Sequence, residues 1–318
     1  MRIKILVSKT SPASTVMGLY ENLQLALINS RQTGEIKLVS FDGSEVSDGN
    51  RFRLIPDESV AQALACETID AFIIAPLGPI PEGGLSFDSE LLSAIVEIGE
   101  RSNIVSSVCT GAFLLAASGL IHEREVSTHW LFEELFREAY PLVKLRSENL
   151  VVEDGKYLSS GGAMAYQDMS LRLIERLFGR KLSLKCAKLL MLTPDRVSQS
   201  EFADYQRFKR HGDDKISDCQ NWIECHFQMP IDVVALAKTA CLSERHFKRR
   251  FKAATGDSPS QYWQRVRIDK AKRSLELSSK AVETIGLESG YEDTQFFRKL
   301  FKRHTGLTPN EYRKRYAQ

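Results

Sequence analysis

No stretch of the chain approaches the roughly 18 consecutive apolar residues that a membrane-spanning helix needs, and mean hydropathy is slightly negative at -0.24. The opening Met1-Arg2-Ile3-Lys4-Ile5-Leu6-Val7 has the pattern of a strand rather than of a secretory leader. No membrane partner is therefore expected, and the cytoplasm is the expected compartment. Paired cysteine motifs are also lacking. The six cysteines are scattered, which suits reduced thiols better than a disulfide framework. Cys219, Cys225 and His226 lie close in sequence, but no second pair completes a zinc-type spacing. No metal and no cofactor is expected.

Strong net charge is the third thing missing. The total of +2 would draw the protein as a whole to neither polyanions nor polycations, but its distribution is uneven. From Arg196 onward there are 24 Lys and Arg against 16 Asp and Glu, a net +8, whereas the residues before it carry 19 against 25, a net −6. A polyanion would be attracted to one end only. At 318 residues the chain is long enough for two domains with separate cores.

The basic end contains one pattern written twice. Phe247, Phe251, Thr255, Gly256, Pro259 and Tyr262 recur 50 residues later as Phe297, Phe301, Thr305, Gly306, Pro309 and Tyr312. Upstream the offset is 49, with Leu236 matching Ile285 and Leu242 matching Tyr291. A repeat of this size implies one supersecondary unit used twice. Each copy predicts a short helix (231–239 and 282–288), a tight turn and a longer helix closed by glycine. Ser243 is the predicted cap of the first long helix, and Asp293 or Thr294 that of the second. Phe247 and Phe251, four apart, share a face that should be buried; Arg245, Lys248, Arg249 and Lys252 fall on the other. In the second copy Thr294, Gln295, Arg298, Lys299 and Lys302 fall there.

Two short helices joined by a turn, the second basic on its outer face, form the helix-turn-helix arrangement that reads the major groove. A single basic helix is more often a solvated bundle face. Two of them one unit apart match successive major-groove turns, about 34 Å apart. The stretch from Pro259 to Ser278 is a candidate spacer helix. The string Ile285-Gly286-Leu287-Glu288-Ser289-Gly290-Tyr291-Glu292-Asp293, with Phe297, Phe301-Lys302-Arg303, Gly306, Thr308-Pro309 and Tyr312-Arg313, resembles the signature of the AraC/XylS transcription regulators. Leu242-Ser243, Arg249, Phe251, Gly256, Pro259, Tyr262, Arg267, Ala271 and Leu275 resemble that family's other subdomain. Gly286 and Lys299 depart from the usual Ala and Arg. The resemblance covers about 217–316 and implies double-stranded DNA as partner, read by Arg245, Lys248, Arg249, Thr294, Gln295, Arg298 and Lys299, with RNA polymerase a candidate further partner.

Residues 1–180 alternate strand and helix patterns. Strands are predicted at 2–7, 36–41, 70–75 and 103–108, and helices at 16–29, 57–66 and 88–101, which argues for a mostly parallel sheet with helices on both faces. Ligands in such folds sit beyond the carboxyl ends of the strands. Ser106-Ser107-Val108-Cys109-Thr110-Gly111-Ala112-Phe113 places Cys109 at a strand-to-helix elbow, where a helix N-terminus would favour thiolate. An inert buried cysteine is the equal alternative. Val108-Cys109-Thr110-Gly111, Leu115-Ala116, Gly119-Leu120, Thr128-His129-Trp130, Ser159-Ser160-Gly161-Gly162 and Asp168 together resemble the PfpI/ThiJ domain, a relative of the class I glutamine amidotransferases. That resemblance implies a site at Cys109 with His129, and Glu21 as the available acid. Pro76-Leu77-Gly78 replaces the family's strand-end Gly-Gly. With the oxyanion part absent, no catalytic residue is assigned.

A helical run from Leu182 to Leu192 and a polar stretch from Ser198 to Asp214, with Arg207, Lys209, Arg210 and His211, give the expected division: 1–180 sensing and dimerisation domain, 181–214 helix and linker, 215–318 all-helical DNA-binding domain with two helix-turn-helix subdomains. The order of the two domains resembles the GlxA group of AraC-type regulators. It implies a non-enzymatic homodimeric regulator with an effector of amino-acid or betaine-like class held by Leu77, Gly78, Cys109, Thr110, His129, Trp130 and Glu21. The alternative expectation is a cysteine-dependent hydrolase or amidase, or a redox sensor using Cys109, fused to a DNA-binding module.

Overall fold

A computed structural model describes residues 1–47, 52–81, 84–194, 196, 198–199 and 211–317. It divides into two compact units, Met1–Gln199 and Ser200–Gln318.

In the first unit the order is β1 (Arg2–Leu6), α1 (Ala13–Ser30), β2 (Glu35–Ser40), β3 (Val46–Ser47), β4 (Arg53–Leu54), β5 (Glu58–Ser59), α2 (Val60–Ala63), β6 (Ile69–Ile74), α3 (Ser89–Glu100), β7 (Ser102–Val108) and α4 (Gly111–Ala117). It continues with β8 (Glu125–Val126), α5 (Glu133–Ala139), β9 (Lys144–Leu145), β10 (Val151–Asp154), β11 (Tyr157–Ser160), α6 (Tyr166–Phe178) and α7 (Arg180–Leu189). The main sheet runs β10-β11-β7-β6-β1-β2-β5, parallel throughout except for the antiparallel β10/β11 pair. Its central strands are apolar on both faces because both are covered. Along β6, Ala71 and Ile73 join the core shared with α1, α6 and α7. Phe72 and Ile74 join the core shared with α3, α4 and α5, the alternation that a pleated strand imposes; Ile69, the first residue of the strand, joins that second core out of phase.

Two differences from the sequence reading have local causes. The helix expected over 57–66 shrinks to Val60–Ala63. Glu58 is drawn instead into the sheet edge as β5, where it pairs with buried Lys4, and Ser59 with Gln62 forms the capping box of the single turn that follows. The division at 180 also moves. Cys186 and Ala187 of α7 are buried in the first unit's core, Arg196 binds both Asp168 oxygens through the Nε–Nη2 edge of its guanidinium, and the chain through Gln199 belongs to the first unit. Of the expected linker residues, Arg207, Lys209 and Arg210 lie outside the described residues.

The second unit contains α8 (Asp214–Cys225), α9 (Val233–Thr239), α10 (Glu244–Thr255), α11 (Pro259–Leu277), α12 (Val282–Glu288), α13 (Thr294–Thr305) and α14 (Pro309–Tyr316). The sequence repeat becomes a structural one, with two separate cores. Phe247, Phe251 and Tyr262 stack edge to face at 5.6 Å; Phe297, Phe301 and Tyr312 do so at 5.7 and 5.5 Å. Thr255 and Thr305 each donate to the carbonyl four residues back. Gly256 and Gly306 close their helices in the left-handed conformation. Ser258 with Gln261, and Thr308 with Glu311, form matching capping boxes with proline at the first turn. The offset of 49 upstream arises from the turn lengths. The αL residue is Cys241 in one turn and Gly290 in the other, and Glu292 is the extra residue before the second cap.

Candidate nucleic-acid interface and candidate ligand site

Each long helix of the repeat is anchored on one side and open on the other. Ser243 caps α10 through the His246 N–H; Asp293, rather than Thr294, caps α13 through the N–H groups of Gln295 and Phe296. Phe247 and Phe251, and likewise Phe297 and Phe301, are fully buried, which rotates the intervening polar residues outward at helical spacing. Arg245, Lys248 and Arg249 of α10 are exposed, as are Gln295, Arg298 and Lys299 of α13, and Thr294 is half-buried. Two of these seven are already engaged inside the unit. Lys248 pairs with Glu244, and Arg298 reaches across to Glu283 of α12. Such exposed pairs are weak and easily exchanged for another anion.

Two further side chains share this open face. Phe296 is 50% exposed beside Gln295, and His246 occupies the equivalent place in α10. An aromatic ring on a polar face suits contact with a thymine methyl. Its signal in the sequence was an apolar residue out of phase with Phe297 and Phe301. Arg250, by contrast, turns inward to Asp213, the N-cap of α8.

The two reading helices are tied through α11. Arg267, 4% exposed, donates to the carbonyls of Phe227 at 2.6 Å, Gln228 at 2.8 Å and Gly290 at 2.8 Å, and its guanidinium lies 3.7 Å above the Trp263 ring. The Phe227–Gln228 segment follows α8 of the first copy, and Gly290 is in the turn of the second. A side chain at Gly290 would meet that guanidinium at 2.6 Å, so glycine is required there by contact as well as by its φ of 87°. Gln228 adds a bond to the Glu288 carbonyl at 2.7 Å.

In the first unit the elbow is real. Cys109 has a φ of 55°, an uncommon value for a residue with a Cβ, and Gly111 lets the turn press against β6, since a Cβ there would meet the Ile74 and Ala75 carbonyls at 2.6 and 2.8 Å. The expected thiolate is not supported. Cys109 is 6% exposed, and burial pushes its thiol up to about 11, outweighing the hydrogen bonds from Thr110. Desolvation wins over the short helix that follows.

The expected ligand residues separate into three groups. The Thr110 hydroxyl is used by the fold, accepting from the Leu77 N–H at 2.9 Å and donating to the Gly78 carbonyl at 3.2 Å. Leu77 lines a cavity of about 400 Å³ at the carboxyl ends of β1 and β2, with Leu6, Phe41, Phe87 and Leu114, but Cys109, Thr110, His129 and Trp130 are not part of its lining. His129 and Trp130 stand instead on the β11 side, with ring centroids 5.3 Å apart. His129 Nδ1 accepts from the Leu131 N–H at 3.1 Å, and its ring lies 3.4 Å from where a Cβ on Gly162 would be. Glu21 is not brought to this edge. It is exposed and lies eight residues into α1, about 12 Å from the end of that helix nearest the strand tips.

The sequence did not identify the residue that fills the space beside Gly162. Gln199, 1% exposed, inserts its amide between β11 and the segment before α5. Its Oε1 accepts from the Gly162 N–H at 3.1 Å, and its Nε2 donates to the carbonyls of Thr128 and Ser147, both at 2.8 Å. A lone glutamine in a polar stretch carries no local signal of such a role. Among the described residues no group of three or more His, Cys, Asp or Glu side chains could hold a metal, and no helix is long and apolar enough to cross a membrane.

Two parts of the chain match different families among known proteins. Residues 1–176 match the DJ-1/PfpI family, and residues 236–315 match a helix-turn-helix domain. Over 291 residues the chain is 27% identical to the HTH-type transcriptional regulator GbdR of Pseudomonas aeruginosa, covering 90% of this chain and 76% of that one. Over 257 residues it is 27% identical to the HTH-type transcriptional regulator GlxA of Rhizobium meliloti, covering 79% and 76%. Among solved structures, a putative transcriptional regulator protein from Vibrio parahaemolyticus superposes with a TM-score of 0.54 at 21% identity, covering 60% of this chain and 98% of that chain; this likeness concerns the fold.

Proposed function

This chain belongs to the DJ-1/PfpI family, and from that premise we propose that it is a DNA-binding transcription regulator of the AraC type whose family domain senses rather than catalyses. The observation that carries the reading is the doubled helix-turn-helix. Two helices of 12 residues, α10 and α13, are capped and stopped alike and open on one face. Basic and amide side chains there suit phosphates and purine edges. In this reading Arg245, Lys248 and Arg249 take one major-groove segment, and Gln295, Lys299 and, after release from Glu283, Arg298 take the next. Thr294 borders that face.

The first unit supplies control. In this reading the effector is a small molecule of amino-acid or betaine-like class taken up beside Cys109, His129 and Trp130, a choice supported by the position of Cys109 directly after β7, since open α/β sheets bind ligands beyond the carboxyl ends of their strands. The thiol, held protonated, supports a binding role over nucleophilic or redox chemistry at neutral pH. Dimerisation through the first unit would pair two such readers on a symmetric site.

The test is a genomic pull-down with the intact protein, followed by footprinting of enriched fragments at two salt concentrations. Two protected blocks per protomer, about one helical turn apart, are expected at both concentrations. Diffuse protection that vanishes at the higher salt would overturn sequence-specific reading. Light scattering with and without the footprinted DNA reads the dimer, and calorimetry against amino acids and quaternary ammonium acids reads the effector.

A further inference from the structure

We infer that the backbone groups around Gln199 form a binding site for a primary carboxamide, now occupied by the chain's own side chain. A ligand bearing such a group would displace Gln199 and release the end of the first unit, from which the chain runs on to the DNA-reading unit. The inference rests on the regulator reading for its consequence, but not for the site itself.

The site is made mainly of backbone, with the Ser127 hydroxyl and the Asn149 carbonyl at 3.4 Å from the Gln199 Nε2 beyond the three closer groups. The Gly162 N–H points at an acceptor, and the Thr128 and Ser147 carbonyls at donors. These three groups and the Gln199 amide satisfy one another. A carboxylate would leave two carbonyls without donors, and an ammonium would leave the Gly162 N–H without an acceptor. A primary amide alone offers one acceptor and two donors in that order. Gly161 is shaped around this occupant, since a Cβ there would stand 2.3 Å from the Gln199 Oε1.

Two features make the occupant a lever. Gln199 is the last residue of the first unit, so whatever leads to the second begins from it. The socket also adjoins the elbow. The Thr128 hydroxyl donates to the Cys109 carbonyl at 2.8 Å, the Cys109 N–H donates to the Ser160 carbonyl at 2.9 Å, and the Thr128 carbonyl is the one that Gln199 holds. The segment just before Gln199 is fastened to the first unit by the Gln199 N–H and the Ser198 hydroxyl on the Glu148 carbonyl at 3.1 and 3.0 Å, and by Arg196 on Asp168.

The experiment uses the full chain as wild type, Gln199→Ala and Gln199→Glu, with propionamide as probe and propionate as control. Gln199→Ala opens the socket; Gln199→Glu keeps the volume but turns an acceptor toward two carbonyls. Hydrogen exchange at Gly162 and at the Glu148–Gln199 contact should quicken at least about tenfold in both variants, as a locally opened segment requires. Millimolar propionamide should restore protection in Gln199→Ala, and propionate should not. Unchanged exchange in two folded variants, or equal rescue by propionate, overturns the socket; should Gln199→Ala fail to fold, exchange in Gln199→Glu decides. Affinity for the footprinted DNA should shift at least about fivefold in Gln199→Ala and return with propionamide. If wild type and variant bind that DNA alike while exchange responds as expected, the lever is overturned and the socket stands. Absence of specific DNA binding by the wild type overturns the regulator reading alone.

Discussion

Single side chains in this molecule divide by whether burial or solvent sets their chemistry, and Cys109 and Arg249 stand at the two ends. Cys109 looks reactive by position, but its thiol is raised from an ordinary value near 9.0 to about 11 by burial. Iodoacetamide at pH 7 should therefore modify it only at the rate of unfolding, whereas exposed Cys225 and Cys241 react at once; a mass spectrum showing rapid labelling of Cys109 in the native protein would revive the nucleophile. The same shift fixes a pH dependence. A folded-state value above the unfolded one means that this stabilising contribution is complete below about pH 9 and disappears as pH rises through about 11. Wild type should lose thermal stability across that window more steeply than Cys109→Ala, as scanning calorimetry can measure. On the reading face, Arg249 makes no ion pair among the described residues, while Lys248 is engaged with Glu244. Arg249→Ala should cost about 1–3 kcal/mol at the specific site and Lys248→Ala under about 1 kcal/mol. Competition between cognate and scrambled DNA ranks the two, and the reverse order would place Lys248 on a base.

At the scale of elements, the parts governed by local rules were legible and the parts governed by distant contacts were not. The cap at Ser243, the glycine stops at 256 and 306 and the supporting helix at 282–288 all follow from near neighbours, and the structure has them. The four-residue hairpin strands β10 and β11 escaped because short, half-polar segments carry little periodicity, although pairing with β7 extends the sheet through them. Glu58 was read into a helix because its partner Lys4 is 54 residues away. Glu21 was read into the site because helix phase and depth are invisible to proximity in sequence. Arg267 was recognised as part of a family pattern, yet its work belongs to α11 as a whole: it fastens the loop after α8 to the turn before α13. Arg267→Lys keeps the charge but cannot serve three carbonyls in a fixed fork, and both it and Arg267→Ala should destabilise the second unit by at least about 2 kcal/mol in urea unfolding. At temperatures where the variants stay folded, the two footprint blocks should tolerate a one-base change in spacing that wild type rejects. Retained spacing discrimination would mean that the packed cores alone hold the two readers apart.

For the molecule as a whole, charge is the property that the two units do not share. Met1–Gln199 carries 20 Lys and Arg against 25 Asp and Glu, a net −5, and Ser200–Gln318 carries 23 against 16, a net +7, so phosphate contacts should come from the second unit alone. This separates positioning from reading in a single measurement. Binding by the intact chain should weaken linearly in log salt, with a slope near −0.9 per phosphate neutralised. Lys252→Ala or Lys302→Ala, each at the exposed C-terminal end of a reading helix, should lower that slope by about 1 if it meets a phosphate and weaken binding evenly across sequences. Gln295→Ala should leave the slope unchanged and relax preference at one base pair. Charge reversals in the first unit, such as Glu90→Lys on the exposed start of α3, should leave both slope and preference as they are. If Glu90→Lys steepened the slope, the acidic unit would lie against the duplex, and the division of labour between a unit that senses and a unit that reads would have to be redrawn.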